Sequence, residues 1–433
     1  MKISIIGTGY VGLVSGVGFA SKGHDVTCVD IIEEKVEKIN RGEPPIYEKG
    51  LEELLQDVVS NDKLKATTDT KKAVKETELT FICVGTPSRQ NGSVDLSGIE
   101  KAVQDMVKPL MDKDDYHVFC VKSTVVPGTT EEKVLPILES SGKKVGGDFG
   151  LGMNPEFLRE GIALDDFLNP DRIVLGGWDE NSLNVLSEAY EQFEAPKLKT
   201  DIKCAEMIKY TSNALLATKI SFANEISRIC ESIGIDVYEV MDGVGLDHRV
   251  KRDFLNAGAG FGGSCFPKDV KAIVKFAKEN DLETELLNSV LSVNEEQPVH
   301  IIDRLEEQVG PVKGKKVAFL GLAFKGGTDD IRETRALPMV ERLLELGANV
   351  VGYDPKASAN FKEILSEQIE YADSISEAIG DADICIIQND WEEFKDLATD
   401  DFEPMRGDVI VDARRVLDKE EFIEDFTYIG VGT

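Results

Sequence analysis

A ten-residue stretch, GFGGSCFPKD at positions 260–269, places one cysteine between a glycine-rich turn and the expected start of a helix. The glycines let a ligand approach the main chain closely, and Pro267 suits the first helical position. A thiol at a helix N-terminus beside Lys268 lies in a positive local field, which favours the reactive thiolate. A buried, inert thiol is the commoner alternative, yet burial would require neither the glycines nor the neighbouring Lys268 and Asp269. We therefore expect Cys265 to be a nucleophile.

The beginning of the chain has the pattern of a dinucleotide-binding βαβ unit. A β-branched run at 2–6 is followed by GTGYVG at 7–12, by an apolar helical pattern, and by a second strand that ends at Asp30. Glycines at this spacing allow a tight turn, close approach of a pyrophosphate and close packing of helix on strand. Asp30 lies 18 residues beyond Gly12, where a carboxylate can bind a ribose diol and repel a 2′-phosphate. The pattern predicts NAD rather than NADP; a glycine-rich turn without a nucleotide is the alternative.

Apolar strands and helical stretches continue to alternate after this unit. Strand patterns recur near residues 79–84, 117–122 and 172–176. The alternation predicts an α/β fold with a doubly wound, mostly parallel sheet, in which ligands bind beyond the carboxyl ends of the strands. The turns at those ends carry Thr86 and Thr124, which ordinary turn or capping roles would explain equally well.

A third turn, residues 154–161, has the pattern of a helix start. Asn154 can cap it, Pro155 suits its first position, and Glu156 and Glu160 then fall four apart on one face. Acidic residues in a first turn also complement the helix dipole, which accounts for Glu156 better than for Glu160.

Residues 202–233 form a helix-period stretch without proline or glycine, closed by Gly234. At about 1.5 Å per residue it would span roughly 48 Å, enough to link two domains and to contact a partner subunit. Lys209 and Asn213 lie four apart on it and can reach one pocket, although a solvated polar face is the alternative. Because helical patterns continue beyond it, we expect a helical middle domain at 201–305.

After residue 315 the chain repeats the strand–helix–strand pattern of its beginning, without the GxGxxG motif. The turn of this repeat and the end of a later strand carry Lys325, Arg332 and Arg414. Cations at strand ends of so acidic a chain suggest an anion site, and solvated surface cations are an equal alternative.

The composition limits the partners of the chain. A net charge of −31 over 433 residues argues against non-specific binding to nucleic acid or to an anionic membrane. Seven scattered cysteines favour a reducing compartment, and four histidines that do not cluster with them argue against a metal site. The sequence shows neither a signal-peptide pattern nor a membrane-length apolar run. We therefore expect a cytoplasmic protein.

Seven motifs in family order make the chain similar to the nucleotide-sugar 6-dehydrogenases, and most closely to those that act on UDP-glucose. They lie at 7–12, 123–129, 154–161, 205–213, 260–269, 324–332 and 413–415. The resemblance implies a four-electron, NAD-dependent oxidation of UDP-glucose to UDP-glucuronate through a thiohemiacetal and a thioester on cysteine. It also implies two Rossmann-like domains joined by the helical one: an NAD-binding domain at 1–200, the middle or dimerisation domain at 201–305, and a UDP-sugar-binding domain at 306–433.

The resemblance assigns the steps of catalysis to six residues. By this resemblance Cys265 is the nucleophile, and Lys209 and Asn213 stabilise charge at C6. Asp269 and Thr124 position water, and Glu156 is the acid/base.

Binding residues follow from the same resemblance. The implied cofactor set is Gly7, Gly9, Tyr10, Val11, Gly12, Asp30, Lys35, Thr86, Thr124, Glu160, Lys268 and Arg332. The implied nucleotide-sugar set is Glu156, Phe157, Leu158, Lys209, Asn213, Arg249, Asn256, Gly258, Gly260, Phe261, Gly262, Phe324, Lys325 and Arg414. Because Arg249 is similar to an arginine that family members supply from the neighbouring subunit, a homo-oligomer is expected.

Other substrates and reaction classes stay open at this point. GDP-mannose 6-dehydrogenases carry similar motifs. UDP-N-acetylmannosamine dehydrogenases usually have histidine before the cysteine, where this chain has Ser264. A hydroxyacid-type dehydrogenase would need no cysteine and would yield one NADH per turnover, and a non-catalytic nucleotide-sugar binder would need no catalytic side chains at all.

Overall fold

The computed structural model describes residues 1–89 and 91–433. The chain divides into two compact units, Met1–Ser212 and Asn213–Thr433. Each unit contains a mostly or wholly parallel β-sheet with helices packed on it, as the alternating pattern predicts.

Eight strands form the sheet of the first unit. They are β1 (Lys2–Ile6), β2 (Asp25–Val29), β3 (Leu64–Thr67), β4 (Leu79–Ile82), β5 (His117–Val121), β6 (Phe149–Met153), β7 (Ile173–Gly177) and β8 (Lys197–Thr200). Their order is β3-β2-β1-β4-β5-β6-β7-β8, and only the β6–β7 pair is antiparallel among the described strands. The strand order reverses between β1 and β4, so the carboxyl ends of these two strands border the expected ligand crevice.

Eight helices cover this sheet. They are α1 (Tyr10–Ser21), α2 (Glu33–Asn40), α3 (Leu51–Ser60), α4 (Thr70–Glu76), α5 (Ser97–Met111), α6 (Leu135–Glu139), α7 (Ala163–Leu168) and α8 (Glu180–Ala189). A π-helical turn, Thr130–Val134, leads directly into α6. In the core, the Phe19 ring stacks on Phe81 at 5.1 Å between centroids and meets Phe167 edge-on at the same distance. These contacts fix α1 and α7 against the centre of the sheet.

The longest helix, α9 (Ile202–Ile233), has 32 residues and the bounds that the sequence predicts. It begins in the first unit and ends in the second, where Gly234 follows it with φ +72°. The second unit continues with α10 (Val237–Gly245), α11 (Phe266–Glu279), α12 (Glu285–Val309), α13 (Ala336–Glu345), α14 (Ser358–Leu365), α15 (Ile375–Ile379), α16 (Glu392–Lys395) and α17 (Lys419–Phe422), and with 3-10 turns at Ser366–Gln368 and Thr399–Phe402.

Six parallel strands form the sheet of the second unit. They are β9 (Lys316–Leu320), β10 (Asn349–Tyr353), β11 (Glu370–Tyr371), β12 (Ile384–Ile387), β13 (Val409–Asp412) and β14 (Thr427–Gly430), in the order β11-β10-β9-β12-β13-β14. The expected α/β class with two Rossmann-like sheets is therefore confirmed, as is the long helix. No helix of the described chain combines the length and apolar character that a membrane span needs.

The two sheets repeat one turn in detail. Gly7 follows β1 with φ +94° and donates its N–H to Val29 O; Gly321 follows β9 with φ +97° and donates to Tyr353 O, both at 2.8 Å. The acids that end the second strands differ, however. Asp354, after β10, is buried and accepts the N–H groups of the turn after Gly321. Asp30, after β2, is half exposed.

Candidate active site

The glycine turn of the first unit has the close backbone contacts that its sequence predicts. A Cβ on Gly12 would lie 1.9 Å from Gly7 O, and one on Gly7 would lie 3.0 Å from Cys83 O. At Gly9 an added Cβ would meet no protein atom within 4 Å. Gly9 therefore faces open space at the N-terminus of α1, which is where a pyrophosphate would approach the backbone.

Asp30 lies at the end of β2, beside this turn. Its carboxylate accepts the N–H of Thr8 at 3.0 Å, the Thr8 hydroxyl at 2.6 Å and the N–H of Ile32 at 3.0 Å. Partial burial works against ionisation, but these hydrogen bonds hold the pKa of Asp30 below its usual range. An ionised, half-exposed carboxylate at this position fits the ribose diol of NAD.

Other expected cofactor residues of the first unit lie on α1, on α2 and in the turns after β4 and β5. Tyr10 and Val11 lie in the first turn of α1 and Lys35 lies on α2, all three half-buried. Thr86 follows β4 and donates its hydroxyl to Thr124 O, after β5, at 2.9 Å. This bond joins the turns that follow two adjacent strands, as their neighbouring positions in the sheet predict.

Residues 154–161 do not begin a helix, so that expectation is wrong. The segment runs as irregular backbone from the end of β6 to α7. Asn154 is a buried link rather than a cap: its Oδ1 accepts from Lys122 Nζ at 2.8 Å and from Tyr190 OH at 2.5 Å. Its Nδ2 donates to Val174 O at 2.8 Å. With the side chain engaged in this way, a helix would have no cap at this point.

Glu156 and Lys209 form a buried ion pair, with Oε1 and Nζ 2.9 Å apart. Glu156 Oε2 also accepts the N–H of Leu158 at 2.6 Å. Burial raises the cost of ionising Glu156, yet the charge and hydrogen bond of Lys209 lower its pKa overall. Lys209 is thus a buried cation, not part of a solvated polar face.

Aromatic contacts define the neighbourhood of this pair. Lys209 Nζ lies 5.6 Å from the centre of the Phe157 ring, and the Arg172 guanidinium lies 3.9 Å from it. Leu158 and Glu160 follow in the same irregular segment and are half-buried. Expected substrate residues and the carboxylate–ammonium pair therefore lie together in the first unit.

Sequence reasoning missed Glu48 and Lys122, both buried in the first unit. Glu48 accepts hydrogen bonds from the Tyr10 hydroxyl and from the N–H of Gly161, at 3.0 Å in the latter case. It thus ties the first turn of α1 to the segment that carries Glu156. Neither residue belongs to a spacing motif, so only the unusual burial of charged side chains identifies them.

In the second unit, Cys265 is the residue that immediately precedes α11, and its side chain is exposed. The start of α11 supplies the positive end of a helix dipole at the thiol, as the sequence predicts. Ser264 Oγ lies 3.5 Å from Cys265 Sγ.

A buried acid lies one turn along the same helix. Asp269 is 1% exposed, and its two carboxylate oxygens accept from Asn213 Nδ2 and Lys268 Nζ, each at 2.6 Å. The cysteine, the acid, the amide and the ammonium group are therefore assembled around the N-terminus of α11.

The glycine-rich loop before Cys265 is held by three buried amides that sequence reasoning did not identify. Asn224 Oδ1 accepts the N–H of Gly258 at 2.8 Å, and Gln297 Nε2 donates to its carbonyl at 3.1 Å. Asn294 bonds both the N–H and the carbonyl of Phe261, at 2.7 and 3.0 Å. These amides lie on α9 and α12, so packed helices determine the shape of the loop.

Close packing explains two of the loop glycines. Gly260 has φ +109°, and an added Cβ would lie 2.5 Å from the side-chain oxygen of Asn294. At Gly262 an added Cβ would lie 2.3 Å from Glu333 O. Asn256 precedes them as an exposed residue that accepts from Arg252 at 2.7 Å.

The expected anion-binding residues of the second unit lie on exposed or half-exposed loops. Arg332 forms a bidentate pair with Asp330, and Arg414 lies 3.6 Å from Asp390. Lys325 Nζ lies 5.5 Å from the centre of the Phe324 ring.

Arg249 lies in the segment after α10. Its side chain is 77% exposed and forms a bidentate pair with Asp247. A guanidinium this exposed can leave its carboxylate partner at little cost.

Three models of one protein family match most of the chain. Residues 1–194 match the NAD binding domain of the UDP-glucose/GDP-mannose dehydrogenase family, residues 203–296 its central domain, and residues 318–419 its UDP binding domain. The UDP-glucose 6-dehydrogenase AglM of Haloferax volcanii is 46% identical over 98% of this chain and 99% of its own length. A GDP-mannose 6-dehydrogenase of Pseudomonas savastanoi pv. phaseolicola is 43% identical over 92% of this chain and 93% of its own.

The chain is also similar to a solved structure over its whole length. A UDP-glucose dehydrogenase from the archaeon Pyrobaculum islandicum superposes with a TM-score of 0.92 at 41% identity, covering 100% of this chain and 97% of that one.

Proposed function

Because the chain belongs to the UDP-glucose/GDP-mannose dehydrogenase family, we propose that it oxidises the C6 alcohol of UDP-glucose to the carboxylate of UDP-glucuronate. The observation that carries the proposal is the exposed thiol of Cys265 at the N-terminus of α11, one turn from the buried Asp269. A single oxidation of an alcohol needs no thiol, whereas a second oxidation needs a group that holds the aldehyde.

When bound, NAD would supply the oxidant: each of two molecules would accept a hydride from C6, while the proton of the C6 hydroxyl passes to water. The chain fits NAD in three places: the open space at Gly9, the ionised Asp30 and the joined turns of Thr86 and Thr124. The further cofactor residues of the proposal are Gly7, Tyr10, Val11, Gly12, Lys35, Glu160, Lys268 and Arg332.

Cys265 carries the substrate between the two oxidations. Its thiolate adds to C6 of the aldehyde, forming a C–S bond, and the oxygen of C6 takes a proton to give a thiohemiacetal. The second oxidation leaves a thioester, and water then adds to its carbonyl carbon. The C–S bond breaks, the carboxylate leaves and the thiolate is restored.

Charge develops on the C6 oxygen when sulfur or water adds. In the proposal, Lys209 and Asn213 stabilise it through their N–H groups, since buried donors that are already oriented need little reorganisation. Glu156, which is paired with Lys209, acts as the acid/base of hydrolysis. Thr124 and Asp269 position the water.

The remaining residues of the proposal bind the nucleotide sugar. They are Phe157, Leu158, Arg249, Asn256, Gly258, Gly260, Phe261, Gly262, Phe324, Lys325 and Arg414. The domain division at 1–200, 201–305 and 306–433 is part of the same proposal.

The proposal includes a homo-oligomer in which Arg249 reaches the substrate of a second copy. Helix α9 supports it, because from Leu215 onward it carries large apolar side chains that are 49–64% exposed at close to heptad spacing. These side chains, which we call the α9 stripe, are Leu215, Phe222, Ile229 and Ile233.

GDP-mannose is the second candidate substrate, because GDP-mannose 6-dehydrogenases match this chain at 43% identity. The same reaction would act on either sugar nucleotide. The identity to AglM and the likeness to the Pyrobaculum structure favour UDP-glucose.

NADH formed per sugar nucleotide consumed tests both reaction and substrate. With UDP-glucose we expect two NADH per molecule, with GDP-mannose as the parallel sample. Two NADH from GDP-mannose alone would keep the chemistry and change the substrate. One NADH from either would rule out the thioester route.

A further inference from the structure

Glu206 is a fully buried carboxylate to which the proposed reaction gives no role. It lies on α9, in the first unit, one turn before Lys209. Its Oε2 accepts the N–H of Gly128 at 2.5 Å and its Oε1 accepts the N–H of Thr130 at 2.9 Å. Thr130 begins the π-helical turn Thr130–Val134, and Gly128 lies two residues before it.

The hydrogen bonds described for the Glu206 carboxylate come from backbone N–H groups and not from a cation. Lys203, on the same helix, lies 3.4 Å from Glu131 and 3.2 Å from Glu132. Burial raises the pKa of Glu206 to about 7, the N–H donors of Thr130 and Gly128 oppose that rise, and the Glu131 charge adds to it. A carboxylate held at this cost is a strong acceptor for the first N–H groups of a helix when it ionises.

The anchored backbone continues directly from the turn of Thr124. Thr124 follows β5, and its carbonyl is held on one side by the Thr86 hydroxyl at 2.9 Å. Within the turn, Thr129 donates to Val126 O through its N–H at 3.1 Å and through its hydroxyl at 2.6 Å. Glu206 holds the far end of this short segment. The turn of Thr124 is thus fixed at both ends.

Helix α9 also carries Lys209, whose ammonium group contacts Glu156. Glu206 and Lys209 are three residues apart, so one rigid turn of helix sets the position of both. Through Glu206, α9 places the Thr124 turn in a fixed relation to the Glu156–Lys209 pair. A π-helical turn at this point also departs from ordinary helix geometry, as such turns often do near functional sites.

We infer that Glu206 is a positioning residue for the hydrolytic step, which it serves by anchoring the backbone that presents Thr124. The inference rests on the proposed function, in which Thr124 positions the water that attacks the thioester. Removing the anchor shifts Thr124 without removing any group that binds the nucleotide sugar or stabilises charge at C6. The Thr86 hydroxyl still holds the Thr124 carbonyl, so the NAD side of the turn is kept. The thioester then forms and is hydrolysed slowly.

The test compares Glu206→Gln and Glu206→Asp with Glu132→Gln. Glutamine keeps the shape of the side chain but turns one oxygen into an N–H₂ group that faces an N–H donor. Aspartate keeps the carboxylate on a shorter chain. Glu132 is an exposed acid at the same helical turn, so its variant controls for loss of negative charge alone.

We expect Glu206→Gln to lower kcat with UDP-glucose about 10- to 100-fold, the cost of a misplaced catalytic group. KM should not rise, because enzyme that accumulates as the thioester lowers the apparent KM. Acid quenching followed by mass spectrometry should show the substrate bound covalently to Cys265 in that variant. Glu206→Asp should restore part of kcat and reduce the adduct, and Glu132→Gln should match wild type.

Three outcomes would overturn the inference. One is a Glu206→Gln enzyme, or a Glu206→Asp enzyme if the first does not fold, with wild-type kcat. Another is a loss of kcat without adduct, and the third is a rise in KM alone. A wild-type enzyme that forms no NADH from UDP-glucose or GDP-mannose would instead refute the proposed function, which this experiment detects separately.

Discussion

Cys265 differs from the buried cysteines of the chain in exposure and in setting. Burial raises the pKa of Cys28 and of Cys83 to about 12, which keeps those thiols protonated and inert. Cys265 is instead exposed at the positive end of α11. Cys204 is the other exposed cysteine among the described residues, which makes it a natural control.

We expect Cys265→Ser to bind UDP-glucose normally and to lose turnover, because a hydroxyl does not form the thiolate that attacks the aldehyde. Steady-state NADH formation and binding calorimetry measure the two effects. Cys204→Ser, the matched control, should behave as wild type. Turnover near the wild-type rate in Cys265→Ser would refute the covalent route.

The Glu156–Lys209 pair allows a prediction about stability. Glu156→Gln removes one partner and leaves the buried ammonium without its carboxylate, which should cost about 3–5 kcal/mol of unfolding free energy. The exposed pair of Glu34 and Lys38 has the same 2.9 Å separation, so Glu34→Gln should change stability very little. Denaturant titration of both variants measures the contrast, and equal losses would mean that burial does not matter here.

The same pair has a defined pH dependence. The pKa of Glu156 in the folded state is lower than in the unfolded chain. Its stabilising contribution is therefore complete above the ordinary range of a glutamate and is lost as the pH falls through the folded-state pKa. The stability difference between wild type and Glu156→Gln should accordingly shrink on acidification, and a difference that grows would contradict this assignment.

At the scale of elements, two glycines of the β1–α1 turn allow NAD binding and stability to be tested separately. We expect Gly9→Ala to fold with near wild-type stability, since its Cβ meets no protein atom, and to bind NAD more weakly because that Cβ occupies the approach to the backbone. Gly12→Ala should lose stability, because its Cβ would lie 1.9 Å from Gly7 O. Thermal unfolding and NAD titration separate the two effects.

Unchanged NAD affinity in a folded Gly9→Ala protein would mean that the pyrophosphate does not lie at this turn. Gly243→Ala serves as a control, because this helical glycine also has open space around its Cβ and lies in the other unit.

Periodicity predicted the elements whose own residues decide their structure. Helix α9 has its expected bounds because nothing between 202 and 233 interrupts a helix. Sequence patterns do not predict strand β6, since its sequence FGLGM has two glycines and little β propensity. It forms because β5 pairs along its whole length. The sheet rather than the segment decides that strand.

The wrong prediction of a helix start at residues 154–161 has a similar cause. Asn154 and Pro155 are good helix-start residues locally, but Lys122, Tyr190 and Val174 take the Asn154 amide. Those partners come from three distant parts of the sequence. For the same reason the sequence does not show which backbone groups Glu206 and Asn294 bind, although Glu206 lies within the motif at 205–213.

At the scale of the whole molecule, charge and apolar surface act in opposite directions. A net charge of −31 makes two copies repel at long range, and salt screens that repulsion. The α9 stripe provides apolar area that burial against a second copy would remove from water. Association through this stripe should therefore strengthen as the salt concentration rises.

We expect Phe222→Lys to disrupt the oligomer, because it places a charge in the middle of the α9 stripe. Light scattering should then give a smaller mass than for wild type. If Arg249 completes the substrate site of a second copy, KM for UDP-glucose should rise in this variant to the value of Arg249→Ala. Ile364→Lys, at a comparably exposed apolar side chain on α14, should change neither mass nor KM. A smaller particle with wild-type KM would show that each copy binds its substrate alone, and an unchanged mass would exclude the stripe as the interface.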